Sequence, residues 1–249
     1  MIENPKSGQI YDRLFAFLRA FPLMAQPCES VAEANLMILA EQEAADPTHI
    51  QYRPRPQAGA VAMYPLAMFA LRFGGSANPL IGALPDEIAF PLSESPHLSM
   101  LSELILAEQS ISRCGGGFVR TRLCEAIVVY AIRSALKTGT VNAGLLAGLA
   151  HPTLHGCLVA LHDDPARGWR LADLAALADM RRSQFIRTFT QTVGQPPLSY
   201  LTAWRLTLAR VYLAEGDSVK RAGGKVGFGS AAAFSRAFTR RFGYPPSQV

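Results

Sequence analysis

The hydrophobic pattern of this chain changes period along its length. Between about residues 22 and 92 the apolar positions come in short runs: Ala34-Asn-Leu-Met-Ile-Leu-Ala40, His49-Ile-Gln-Tyr-Arg53, Val61-Ala-Met-Tyr64 and Leu66-Ala-Met-Phe-Ala-Leu-Arg-Phe73. Pro54, Pro56, Gly59, Pro65 and Gly74-Gly75 interrupt them. Short runs bounded by turn residues predict a small β-barrel or sandwich, with Met24, Met37, Met63, Met68, Phe69 and Phe73 filling its core. Residues 10–21 fit either a short helix or a first strand. From Ser95-Pro96 the spacing becomes helical. Leu98, Leu101, Leu104 and Ile105 define one amphipathic helix, Cys114-Gly-Gly-Gly117 breaks it, and Val119, Leu123, Ile127, Val128 and Ile132 define a second. Together they predict a helical hairpin. The small residues from Gly139 to Gly148 mark a flexible linker, and Pro152 suits the first position of a new helix.

The remaining third reads as helix and contains one pattern twice. The first copy runs Leu171-Ala-Asp-Leu-Ala-Ala-Leu-Ala178, turns at Asp179-Met180, and continues Arg181-Arg-Ser-Gln-Phe-Ile-Arg-Thr-Phe189 to Gly194. The second starts at Ser218-Val219, turns at Gly227-Phe228-Gly229, and continues Ser230-Ala-Ala-Ala-Phe-Ser-Arg-Ala-Phe238 to Gly243-Tyr-Pro-Pro246. A short apolar helix, a tight turn and a helix with paired Phe and a cationic outer face make a helix-turn-helix, whose second helix enters a DNA major groove. The segment Leu198–Leu213 between the copies predicts a long helix that spaces the two units about one DNA turn apart. The chain therefore reads as α+β: a β-barrel or sandwich at 1–95, a hairpin at 96–138, a linker at 139–151 and an all-α domain at 152–249.

Charge sharpens this picture. Residues 1–160 hold 11 Lys/Arg against 13 Asp/Glu, whereas residues 161–249 hold 13 against 6. A basic segment beside a slightly acidic one suits a nucleic-acid module carried by a neutral partner domain. An apolar fraction of 49% with 17% charged residues excludes an intrinsically disordered chain. No apolar run approaches the ~20 residues of a membrane helix, and the N-terminus lacks the build of a signal peptide. A cytoplasmic protein without membrane contact is expected.

Side-chain chemistry locates the reading surface. In the first reading helix Phe185 and Phe189 point into the core, leaving Arg182, Ser183, Gln184, Thr188 and above all Arg187 outward. Arginine pairs bidentately with guanine acceptors, and a hydroxyl serves base or phosphate. Arg181 and Gln191 are placed to hold phosphates. In the second helix Arg236 is the donor among Ala232, Ala233 and Arg236, so this half reads few bases and holds the backbone through Ser230, Arg240 and Arg241.

The residues Tyr200-Leu-Thr-x-Trp-Arg205, Val226-Gly-Phe-Gly-Ser230, Ala233-Phe-Ser-Arg-Ala-Phe238 and Phe242-Gly-x-Pro-Pro246 resemble the AraC/XylS family of bacterial transcription regulators. Arg53-Pro-Arg-Pro56, Phe73-Gly-Gly-x-x-Asn-Pro-Leu80 and Ala83-Leu-Pro85 more weakly resemble the cupin-like effector domain of one branch of that family. The resemblance implies a shortened cupin-like sensor, a dimerising helix pair, a bipartite domain that binds double-stranded DNA, a homodimer, and regulation by a small-molecule effector. It maps base contacts onto Ser183, Ile186 and Arg187, and onto Ala232, Ala233 and Arg236; Ile186 would meet a thymine methyl. The chain departs from the family at Ala222, where a larger apolar residue is usual, and at Gly223 and Gly224, where alanines are usual. Two interior glycines cost about 1 kcal/mol each, which predicts a loose second unit. Arg170 and Arg181 stand where hydroxyl N-caps are expected, forfeiting about 1 kcal/mol apiece.

Other chemistry is thinner. His151, His155 and His162 share a helical stripe near Cys157, but the i+11 spacing is too long for one ion. His49 and His97 are too few for a cupin metal site, so no metal and no cofactor is expected, nor an enzyme. Two alternatives stay open: an alkyl-transfer repair regulator, which requires zinc-held cysteine among Cys28, Cys114, Cys124 and Cys157, and an antagonist that does not bind DNA but dimerises with a full-length relative.

Overall fold

In the computed structural model, described for residues 12–43, 45–56, 61–111, 113–138 and 144–249, the chain divides into two compact units. One lies within residues 21–140; the other joins the described residues before 21 to those after 143.

The first unit is built on strands β1 (Met24–Pro27), β2 (Leu36–Ala40), β3 (His49–Tyr52), β4 (Tyr64–Arg72) and β5 (Ile88–Pro91). They form one antiparallel sheet in the order β1-β4-β2-β3-β5. Among the described residues the β-domain is thus a single open sheet, not a closed barrel. Its edge strands end in Pro27 and Pro91, residues that offer no N–H to a further strand. Central β2 is buried along its whole length, as expected for a strand covered on both faces. The predicted runs 61–64 and 66–73 merge into β4 despite Pro65. There the register shifts between Ile38 and Leu39 of β2, and β1 pairs only with Phe69–Arg72, so the missing N–H falls where the ladder is already irregular. Of the predicted core residues, Met37, Phe69 and Phe73 are fully or nearly fully buried, but Met24, on edge strand β1, is 59% exposed.

Short helix α2 (Pro79–Ala83) follows β4, its N-terminus capped by the Asn78 side chain, which accepts from Leu80 N at 3.0 Å. Helices α3 (Pro96–Ser110) and α4 (Gly116–Thr138) form the hairpin. Cys124, Ile127, Val128 and Ala131 of α4 are buried, and the Thr121 hydroxyl donates to Ala25 O of β1 at 3.5 Å.

The second unit contains α1 (Phe15–Ala20), α5 (Leu145–Ala150), α6 (His155–Asp163), α7 (Leu171–Leu177), α8 (Arg182–Val193), α9 (Pro197–Ala214), α10 (Val219–Lys225) and α11 (Ala231–Phe242). Two of these differ from the sequence reading. Residues 144–150 were expected to be linker, yet they form α5, because Leu145, Leu146 and Leu149 make a buried stripe. Gly148 lets α5 approach closely: a Cβ there would stand 2.6 Å from Leu158 and 2.9 Å from Val193. Pro152 consequently lies in the turn between α5 and α6 rather than opening a helix. The second difference is α1, which precedes the sheet in sequence but packs with the C-terminal helices. Phe17 is fully buried, its ring 4.6 Å from His162 and 4.9 Å from Trp204.

Candidate nucleic-acid interface

Two helix pairs, α7–α8 and α10–α11, carry the expected reading surfaces. In the first, four residues, 178–181, separate the helices. Asp179 makes the turn at φ 54°, a left-handed conformation that Asp tolerates better than most residues. Neither Arg170 nor Arg181 caps its helix by its own side chain, but Arg170 N donates to Asp173 Oδ2 at 3.1 Å, so one amide at the start of α7 is satisfied. Phe185 and Phe189 are fully buried with ring centroids 5.6 Å apart. Helical geometry then sets Ser183, Arg187 and Gln191 on the opposite face, with Gln184 beside them.

The second pair repeats the plan with five residues between its helices, 226–230. Gly227 turns at φ 84°, and a Cβ there would lie 2.5 Å from Ala166 O, so no other residue fits. Ser218 and Ser230 are true N-caps: their hydroxyl oxygens accept from Arg221 N at 3.3 Å and Ala233 N at 3.2 Å. One Ser230 lone pair is therefore engaged, while its O–H can still donate to a phosphate. Phe234 and Phe238 are fully buried 5.6 Å apart, and Phe228 packs edge-on against Phe234.

One of the two glycines of α10 has a structural reason that the sequence did not disclose. A Cβ on Gly223 would stand 3.0 Å from Phe234 Cγ, whereas Gly224 faces open space. Gly223 is thus the contact point that lets α11 lie close on α10, and only Gly224 is a plain helix-weakening glycine. Ala222, read as a loss of core volume, is fully buried. Asp217 ties the helix further, receiving Arg221 Nε at 3.2 Å and Lys225 Nζ at 2.6 Å.

Helix α9, about 27 Å long for its 18 residues, is common to both pairs. Tyr200 near its start packs against Phe189 of the first pair at 5.8 Å, and Arg210 lies over the Phe242 ring of the second at 4.8 Å. Arg205 donates from Nε to Pro165 O at 2.6 Å and from Nη2 to Arg167 O at 2.9 Å, fastening the loop between α6 and α7. His162, considered above as part of a metal-binding stripe, sits instead in the core with its Nε2 2.5 Å from the Tyr200 hydroxyl. Burial pushes its pKa down to about 3 and so keeps the ring neutral. His151 Nδ1 accepts from Leu154 N at 3.3 Å, and His155 Nδ1 lies 3.0 Å from His151 O.

Of the predicted contact residues, Arg181, Arg182, Ser183, Gln184, Arg187 and Gln191 are exposed, and Thr188 and Ile186 are half-buried. On the second helix Ser230, Ala232, Arg236, Arg240 and Arg241 are exposed and Ala233 is half-buried. The cysteines do not gather. Cys124 and Cys157 are buried, with thiols pushed up to about 12 by desolvation, Cys114 is exposed and Cys28 half-buried. Among the described residues, no group of three or more His, Cys, Asp or Glu could hold a metal ion, and no helix is long and apolar enough to cross a membrane.

Comparison with known proteins agrees with this geometry. Residues 174–249 match the family described as a helix-turn-helix domain, and residues 27–137 match the cupin family. A putative AraC-like transcription regulator of Streptomyces lividans is 37% identical over 180 residues, covering 70% of this chain and 59% of that protein. A second, from Streptomyces antibioticus, is 35% identical over 172 residues, covering 67% and 56%. The chain thus spans less than two thirds of the length of the curated relatives it matches. Among solved structures, the DNA-binding domain of AdpA in complex with a target DNA is 32% identical, covers 39% of this chain and 87% of that one, and superimposes with a TM-score of 0.37.

Proposed function

Since the chain belongs to the AraC/XylS family of transcription regulators, we propose that it is a sequence-specific DNA-binding regulator acting as an effector-responsive homodimer in the cytoplasm. It binds and does not catalyse. The observation that carries the reading is the duplicated helix pair. Two helices with fully buried Phe pairs present Arg187 and Arg236 at the same register on their outward faces, and one helix, α9, packs against both. In each unit the first turn of the reading helix faces base edges and the flanking cations hold phosphates. Arg187, Ser183 and Gln184 read bases in the first segment, while Arg181, Arg182, Thr188 and Gln191 orient the helix. Arg236 reads in the second, with Ser230, Arg240 and Arg241 on the backbone.

Two further surfaces support the finer parts of the proposal. Met100, Leu104 and Ile111 form an exposed stripe at helical spacing along and just beyond α3, and Phe118 at the start of α4 is 69% exposed. Apolar side chains left in water at that spacing suit pairing of two copies through the hairpin. On the sheet, a cleft of about 430 Å³ lined by Tyr52, Leu71, Phe73 and Ile81, with Asn35 and Arg72, suits a small, largely apolar effector.

The deciding experiment is selection of bound sequences from a random duplex pool, followed by footprinting at low and moderate salt. A single enriched motif with two protected segments is expected. Uniform retention without enrichment would overturn the reading, and no retention would overturn it in favour of the antagonist role. Leu104→Glu should convert a dimer to a monomer in sedimentation without unfolding it.

A further inference from the structure

The outward face of α11 is unusual for a surface meant to meet polar base edges. Its first turn is Ala231-Ala232-Ala233; Ala231 and Ala232 are exposed and Ala233 half-buried. Phe234 and Phe238 fix the helix rotation, so Ala232 and Arg236 lie diametrically opposite the core, with Ala233 and Arg240 on one flank of that line. The face presented to DNA is therefore one arginine preceded by a turn of methyl groups. Ser230, at the cap, already accepts from Ala233 N.

The one methyl group on the major-groove edges is the C5 methyl of thymine. Apposing alanine methyls to it removes apolar surface from water on both sides. Apposing them to a cytosine amino group or a guanine carbonyl strips those groups of water and returns no hydrogen bond. The same alanines thus favour thymine and disfavour the alternatives. Gly223 adds a reason for the fixed placement, because Phe234 Cγ would lie 3.0 Å from a Cβ there, leaving α11 little room to roll on α10.

We propose that Ala232, with Ala233 beside it, is a specificity-determining residue that reads thymine through its methyl group, so that the segment under α11 is selected for thymine beside the base that Arg236 reads. This inference rests on the DNA-binding reading above and adds a thymine preference to the one base that Arg236 reads from α11.

The test uses the full-length chain and its selected motif. Each thymine is replaced in turn by deoxyuridine, which deletes the methyl and leaves every hydrogen-bonding group in place. The half-site under α11 is identified as the one whose preference Arg236→Ala relaxes. Affinity there should fall about fourfold per lost methyl at one or two positions, the size expected for one buried methyl-sized group. In A232G the thymine-to-uracil ratio at that position should collapse towards one, because the protein's half of the contact is gone. A chain that selects a motif but ignores methyl loss under α11, or whose ratio survives A232G unchanged, overturns this inference alone. A chain that selects no sequence overturns the functional reading and this inference with it. The uridine measurements need no altered protein, so they stand even if a variant folds poorly.

Discussion

Helices α8 and α11 are one helix built twice with different outward faces. At an offset of 49 residues Phe185 matches Phe234, Arg187 matches Arg236, Phe189 matches Phe238 and the left-handed caps Gly194 and Gly243 coincide. At the same offset Arg182-Ser183-Gln184 stands opposite Ala231-Ala232-Ala233. The inner stripe is held because each Phe fills a closed core; the outer turn is free because folding asks nothing of it. The shared core therefore carries two chemically different outward turns, one polar and one of methyl groups. The two halves share a core plan and differ in the outward face they present.

The shared plan can be broken by deleting its cores. Phe185→Ala and Phe234→Ala should each cost about 3–5 kcal/mol, the usual range for a fully buried Phe. Both tryptophans, Trp169 and Trp204, lie in the C-terminal unit, so denaturation followed by their fluorescence reports that unit. A clearly smaller cost for Phe234→Ala would show that the second half is the looser of the two.

How much of this was legible in the sequence follows from range. The Phe pairs, the turns at Asp179 and Gly227 and the caps at Gly194 and Gly243 are local patterns at spacings fixed by the helix, and periodicity exposes them. Helix α5 was hidden because glycine and alanine between its leucines read as flexibility; Gly148 is small for Leu158 and Val193, which belong to two other helices. Docking of Phe17 on His162 and Trp204 joins residues about 145 and 187 positions apart, and no spacing rule reaches that far. Gly223 was misread for the same reason, its partner Phe234 belonging to the next helix. The outward residues of α8 and α11 could be placed by rotation from the Phe stripe.

The halves should also differ towards acid. Folded His162 stays neutral down to about pH 3, whereas the unfolded chain protonates it below its ordinary value of 6.5. As pH falls through that window only the unfolded state gains the proton, so stability is lost by about 1.4 kcal/mol per pH unit. His162→Gln, which keeps a polar partner near the Tyr200 hydroxyl but cannot titrate, should flatten that slope in tryptophan-monitored denaturation between pH 6 and 4.5. An unchanged slope would mean that His162 does not control it. The residue packs under α9 beside the first helix pair, so acid should weaken protection under α8 before that under α11.

Inequality in reading is tested at the matched arginines. Arg187→Ala should weaken binding by about 1–3 kcal/mol and relax preference at one base pair. Arg236→Ala should cost a similar amount in its own half, where it is the arginine beside the alanine turn. Arg240→Ala should lower affinity for all sequences alike and reduce the salt slope by about one. If Arg187→Ala behaved like Arg240→Ala, the first half would be a clamp as well, and sequence would have to be read elsewhere.

The smallest expected effect separates the two glycines of α10, and its sign carries the information. Gly224 faces open space in the last turn of α10, so Gly224→Ala should raise stability, by at most about 1 kcal/mol, through helix propensity alone. Gly223→Ala gains the same propensity but drives a methyl to 3.0 Å from Phe234 Cγ and 3.2 Å from its Cβ. The second of these atoms moves only if α11 moves, so the gain should be cancelled or reversed. A displaced α11 would also carry Ala232 away from its base, and Gly223→Ala should then blunt the thymine-to-uracil ratio while Gly224→Ala leaves it intact. Equal stabilisation by both substitutions would mean that α11 yields to the added methyl, and that its position on α10 is not what distinguishes the second half from the first.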